Sequence, residues 1–327
     1  MSFLSTIMYH YVRPISISRY PGIKGLEYED FIGQLQYLKK NYTPVTIEDV
    51  VGFLRGDVKS LPENAVLLTF DDAYIDHFKY VYPALKKFGM QGAFYAPVKA
   101  VTERSLLDVN KIHFTLAACS DTKTLLNDFL KEFNKLKLVY DLESFESYYS
   151  KYAIPNRFDN ADIIFIKRAL QVALPEEVRG IISDNLFKKH IGLDEQAFCG
   201  ELYMTTEHLE HMVNDGMHVG SHGYDHYWWN QLSEEKLDSE ISRSKKFLEG
   251  IGADKNALTA CYPYGSWSKS AINKLTELDF DLAFTTQVDI SKFSSEDRFL
   301  IPRLDTNDIP KTKSADKNAW HPDIYLG

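Results

Sequence analysis

Two adjacent carboxylates, Asp71 and Asp72, end the apolar run Leu67-Leu68-Thr69-Phe70, and two imidazoles, His222 and His226, follow much later in the chain. One carboxylate with two histidines makes a three-ligand set for a divalent metal with positions left open. The second carboxylate is then available as a base on metal-activated water. Such equipment belongs to a hydrolase. Successive side chains of a strand point to opposite faces, so the two carboxylates share a site only if the backbone turns directly after Phe70. The simpler alternative makes Asp72 the N-cap of the helix that follows. His222 and His226, four residues apart, converge either on one helix face or from a strand end and its loop.

The elements that must position these residues alternate. Apolar or β-branched runs predict strands at Phe3–His10, Ala65–Phe70, Gly92–Ala96, His218–Gly220, Leu258–Tyr262, Leu282–Thr286 and Phe299–Arg303. Helical patterns separate them at Tyr28–Lys40, Ile47–Arg55, Ile75–Phe88, Thr206–Asp215, Glu234–Glu249 and Ser268–Leu278, with Thr46 as an N-cap and Gly89, Gly216 and Gly250 as C-terminal glycines. Strand–helix alternation implies a parallel sheet, and seven or so units favour a (β/α)7-8 barrel over an open sheet, the alternative that periodicity leaves open. A stretch from about 103 to 200 reads as helical and breaks the rhythm. It is expected to be a helical insertion between two barrel strands of a single domain over 1–327. His10, the Asp71-Asp72 pair, His222 and the run Tyr262-Pro263-Tyr264-Gly265 all fall at strand C-termini, the rim where such barrels build active sites.

Composition narrows the partners. With 37 Lys+Arg against 46 Asp+Glu the formal charge is −9, which speaks against nucleic acid as the main partner. Cys119, Cys199 and Cys261 are too scattered for a disulfide framework or a thiolate metal site, and Cys261 reads as a small buried apolar residue. No apolar run reaches the roughly 20 residues needed to span a bilayer, and the N-terminus lacks the pattern of a signal peptide, so a cytoplasmic chain is expected. His77, His208, His211 and His218 read as surface or packing histidines, and Asp225 as a loop residue or a partner of the site.

With these residues in view, the sequence resembles the polysaccharide deacetylase family (carbohydrate esterase family 4, the nodulation-type chitooligosaccharide deacetylase domain). Thr69-Phe70-Asp71-Asp72 is similar to its first motif, Ser221-His222-Gly223-Tyr224-Asp225-His226 to its second and Tyr262-Pro263-Tyr264-Gly265 to its third. The flanks Tyr82-Pro83-Ala84-Leu85-Lys86 and Gly92-Ala93-Phe94-Tyr95 agree, and the match covers roughly 5–100 and 203–305. The resemblance implies a distorted barrel that removes N-acyl groups from amino sugars. It makes Asp72, His222 and His226 the metal ligands, Asp71 the base and the main-chain N–H of Tyr264 an oxyanion donor.

Three departures stand out. Ala73 replaces a frequent glycine, Cys261 replaces the arginine that opens motif three, and the late Leu-x-His motif is missing, His321 lying in a polar tail. Arg303, in Ile301-Pro302-Arg303, is a candidate to replace the lost arginine. A branch that begins with Met-Tyr-His, as here at Met8-Tyr9-His10, gives its N-terminal histidine the acid's role, which points to His10. The implied cofactor is one divalent ion, zinc first, with cobalt, nickel, manganese or iron as alternatives. The implied substrate is an amino sugar or glycan intermediate of surface polysaccharide assembly, with N-acetyl as the acyl group. Removal of an N-formyl group, or a catalytically silent carbohydrate-binding barrel, are the alternatives.

Overall fold

Apart from Ser291–Lys292, which pairs antiparallel with Phe3 and Leu4, the strands run in parallel and their pairing nearly returns to its start. In the computed structural model, which describes residues 3–156, 159–292 and 297–325, Phe3–Tyr9 pairs with Ala65–Asp71, which pairs with Ala93–Ala96, then His218–Ser221, Thr259–Cys261 and Leu282–Phe284. Phe284 then bridges Ile301 in parallel, and Leu304–Asp305 pairs back onto Ile7 and Met8 of the first strand. The sheet thus curls into a distorted barrel. Of the segment expected as a strand at Phe299–Arg303, only the bridge at Ile301 and the short pairing after it form.

Helices cover the sheet because their apolar stripes match its outer face. Phe31, Leu35, Leu85, Leu209, Ile241 and Leu275 pack with Ile7, Phe70, Phe94 and Val219 in one buried cluster. Capping follows sequence chemistry. Thr46 accepts from the Asp49 N–H while Asp49 accepts from the Thr46 N–H, starting the helix Ile47–Arg55. Gly89 and Gly216 take the left-handed conformation, but Gly250 lies inside its helix and Gly252 does so in its place. The helix expected at Ile75–Phe88 splits into a π-helix at His77–Val81 and an α-helix at Tyr82–Phe88.

Strand parity decides what faces inward. Leu4, Leu67, Ala93, Tyr95, Cys261, Phe284 and Ile301 form a second buried cluster. Continuing by twos along the same strands gives His10, Asp71 and Arg303, so the inner face turns from apolar to charged at the rim.

The chain divides into two compact units. One comprises Met1–Pro14, Gly25–Ser105 and Gly200–Gly327, and contains the barrel. The other comprises Ile15–Lys24 and Leu106–Cys199 and is helical. Its apolar core gathers Ile112, Phe129, Phe133, Phe165, Leu170 and Ile182. Among the described residues, no helix is long and apolar enough to cross a membrane.

Candidate metal centre and carboxylate pair

The backbone does turn directly after Phe70. Asp71 is the last strand residue, and Asp72 and Ala73 follow with φ of 76° and 51°, both left-handed. That reversal sends the Asp72 carboxylate back to the rim, and it is not a helix N-cap: Oδ2 accepts from the Tyr74 hydroxyl at 2.6 Å. The second histidine motif converges by a similar device. His222 follows the strand His218–Ser221, Gly223 has φ of 77°, and His226 itself has φ of 59°. Glu240, buried on the helix Glu234–Gly250, receives the N–H groups of Tyr224 and Asp225 and holds this loop in place. Burial raises the Glu240 carboxyl to about 7, despite the loop N–H donors.

Asp72, His222 and His226 are all buried, with Nε2 of the two imidazoles 3.4 and 3.3 Å from Asp72 Oδ1. A tetrahedral ion with bonds of about 2.0–2.1 Å sets its ligand atoms about 3.3 Å apart, so this spacing fits the donor set. The chemistry of His222 and Asp72 fits as well. His222 donates from Nδ1 to the Cys261 carbonyl at 2.8 Å, which leaves its Nε2 lone pair for a ligand bond. Asp72 Oδ1 is buried without a hydrogen-bond partner among the described residues. Burial opposes the Asp72 anion, but the two imidazoles hold its pKa well below the usual range. Burial disfavours charge on both rings, yet Asp72 and Asp71 raise His222 well above its ordinary range, while His226 is pushed down by burial and by His222.

Asp71 sits in a different environment. Arg303, fully buried, donates to both of its oxygens at 2.9 and 2.7 Å, and also to Thr69 Oγ1 and the Thr285 carbonyl. Burial raises this carboxyl, but Arg303 and then His222 outweigh it and bring it down to about 2. Cys261 fills the position of the missing arginine; its Sγ lies 3.4 Å from Asp71 Oδ2. Asp71, His222 and Cys261 make a second group of potential ligands. It fits an ion less well, because the guanidinium already occupies both Asp71 oxygens and burial keeps the thiol protonated.

His10 follows the first strand, with Nε2 3.9 Å from Asp71 Oδ2 and its side chain 41% exposed. Tyr264 has φ of 57°, and its ring lies edge-on to His226 and stacked on Trp228, each at 4.7 Å between centroids. All seven residues singled out in the sequence therefore belong to the barrel unit. Asp71 meets His10 and Arg303, while His226 links the Asp72 group to Tyr264.

Sequence reasoning missed Tyr74, Glu240 and the role of His77. Glu240 carried a signal, since it lies on the buried stripe Leu237, Glu240, Ile241, Ser244 and Leu248 of its helix. His218 is a core residue bonded to Thr259 Oγ1, and Asp225 pairs with Lys99 at 2.5 Å. His321 is fully buried and bonded to the Asn41 carbonyl, not in a polar tail.

An α/β barrel with a carboxylate pair and two imidazoles gathered at its C-terminal rim belongs to the class of barrels that build active sites there. Comparison with known proteins makes the class specific. Residues 186–283 match the polysaccharide deacetylase family model. The putative polysaccharide deacetylase YxkH of Bacillus subtilis is 31% identical over 99 residues, which is 30% of this chain and 33% of the relative, so the match spans about a third of that protein. Among solved structures, the Streptococcus pyogenes deacetylase PplD aligns at 17% identity and a TM-score of 0.56, covering 94% of this chain and 95% of its own. IcaB from Ammonifex degensii aligns at 18% and 0.54, covering 99% and 97%. The chain's resemblance to the polysaccharide deacetylase family is borne out, and its fold is the distorted (β/α) barrel.

Proposed function

We propose that the chain is a metal-dependent carbohydrate N-deacetylase. The observation that carries this reading is the separation of two carboxylates that adjoin in sequence. Asp72 faces two imidazoles at ligand spacing, while Asp71 is clamped by Arg303 beside His10. Asp72, His222 and His226 would hold the divalent ion, which would acidify a water and polarise the substrate carbonyl. Asp71, ionised across the ordinary assay range, would take the proton as the water oxygen bonds to the acyl carbon. The Tyr264 N–H would receive the developing oxyanion. The C–N bond then breaks, His10 gives a proton to the departing nitrogen, and the products are a carboxylate and a free amino sugar. The substrate is assigned to an N-acetylated amino sugar of surface-glycan assembly, met in the cytoplasm.

Metal content, with acetate and formate release from N-acetyl and N-formyl amino sugars, tests this in the wild type and Asp71→Asn. Bound metal with Asp71-dependent acetate release is expected. Formate release would favour the smaller acyl group. An Asp71→Asn protein of full activity, or failure to bind a divalent ion after supplementation, would overturn the reading.

A further inference from the structure

The short segment His10–Arg13 is gripped at two points by residues that follow the carboxylate pair. His77 Nε2 lies 2.8 Å from the main-chain oxygen of His10, and Arg13 Nε donates to Asp76 Oδ2 at 2.6 Å. Both gripping residues belong to the start of the π-helix His77–Val81, where Asp76 is the N-cap residue. A π-turn is an uncommon local geometry that concentrates at functional sites. Here it divides the expected helix where these two side chains are sent back.

The identity of His77 is not explained by packing. The ring is fully buried, with Phe70, Tyr74 and Phe94 at 5.6, 5.7 and 5.8 Å between centroids. A carbonyl oxygen only accepts, so Nε2 carries the hydrogen and Nδ1 is left as an acceptor. Among the described residues that Nδ1 is buried without a hydrogen-bond partner. Such an uncompensated group costs about 1–3 kcal/mol, a cost that a phenylalanine in this aromatic nest would avoid. The benefit has to lie in the bond to His10.

We propose that His77, supported by Asp76, is a positioning residue for His10. Fixing the His10 carbonyl fixes the peptide plane from which its imidazole projects, and so holds that half-exposed ring beside Asp71. The strand ladder cannot do this alone: its last paired residue is Tyr9, opposite Phe70. This inference rests on the reading of His10 as the proton donor. It adds a second residue that works only through the first.

A double-mutant cycle tests it, with kcat and KM measured on N-acetylglucosamine oligomers and metal content recorded for each protein. His77→Phe keeps the aromatic volume and removes the N–H. It should lower kcat about 10- to 100-fold, the scale of a misplaced catalytic group, with KM and metal content changed less than about twofold. His77→Gln, whose Nε2 can donate to the same carbonyl, should recover most of the loss. In a His10→Ala background, His77→Phe should cost nothing further. Equal losses in both backgrounds, or no loss in either, overturn the proposal. A silent His10→Ala instead removes the donor reading and this inference with it, so the two failures are distinguishable. NMR of labelled histidine side chains needs no turnover. The His10 ring signal should shift towards that of a mobile histidine in His77→Phe and return in His77→Gln; an unmoved signal counts against the proposal. If His77→Phe does not fold, Asp76→Asn completes the same cycle.

Discussion

The barrel unit and the helical unit treat buried charge in opposite ways. In the helical unit each buried carboxylate closes on several cations. Asp159 takes Lys24 and Lys167, and Asp128 takes Lys189, Lys131 and His190. Lys111 is likewise shared by Asp184, Glu195 and Asp108. Only one of its described non-glycine residues, Asp141, has positive φ. In the barrel unit seven do, and four of these, Asp72, Ala73, His226 and Tyr264, carry the site. Among the described residues, Asp72 Oδ1 and His226 Nδ1 are buried there without hydrogen-bond partners. The helical unit closes its buried carboxylates with cations; the barrel unit leaves an oxygen of Asp72 open on a strained backbone, as functional sites do.

The largest expected effect comes from breaking the fully buried Asp71–Arg303 pair at the rim. Arg303→Met leaves Asp71 buried and uncompensated, a loss of about 3–5 kcal/mol. Lys167→Met leaves Asp159 still paired with Lys24, and that partly exposed residual pair limits the loss to about 1 kcal/mol. Urea unfolding of both variants compares them directly. Equal losses would mean that the two units hold charge in the same way.

Open donors should respond to metal where closed ones do not. An ion at 100 times its dissociation constant stabilises the folded state by about 2.7 kcal/mol, so chelation should lower the melting temperature of the wild type. Asp72→Asn should abolish the chelator-sensitive difference, and Asp159→Asn should preserve it. A chelator response that survives Asp72→Asn would place the ion elsewhere.

A smaller effect separates the buried histidine of the barrel from its neighbours by pH. Burial lowers His77 from 6.5 to about 4, so between those values the unfolded chain binds the extra proton. Stability attributable to His77 is therefore intact above about 6.5 and is lost, at about 1.4 kcal/mol per pH unit, as the pH falls from there through about 4. His77→Gln should flatten that part of the stability profile. An unchanged slope would assign the acid sensitivity to other groups.

These expectations also mark what could be read from the chain. The carboxylate pair, both histidines and His10 were legible from residue type and their place at or just after strand ends, and Arg303 only through the arginine that the family resemblance leaves missing. Their supports were not: Glu240 serves a loop 15 and 16 residues away, His77 a carbonyl 67 residues away, and Tyr74, though only two residues from Asp72, reaches it through the left-handed turn after Phe70. The strands and most helices followed from periodicity, but the π-turn did not, since it replaces one ordinary helical turn without altering the apolar stripe. Nor did the grouping of Ile15–Lys24 with the helical unit, which no composition change announces.

Ala73 carries the smallest effect and the sharpest local test. Its φ of 51° is costly for any residue with a Cβ, by about 1 kcal/mol relative to glycine. Its methyl group, however, is fully buried in the main barrel cluster, and losing one buried methyl costs about 0.8 kcal/mol. Ala73→Gly relieves the first term and forfeits the second, while the freer unfolded chain adds a further cost. The expected sum is within about 1 kcal/mol of zero, with metal affinity unchanged because the reversal that places Asp72 is retained. Ala73→Val makes the two terms act together, since a β-branched residue fits the left-handed region poorly and the buried site has no room for added methyls. Denaturant unfolding with metal titration should find Val far below both Ala and Gly. A valine variant as stable as the wild type would mean that the turn after Asp72 is not strained, and would remove Ala73 from the contrast between the two units.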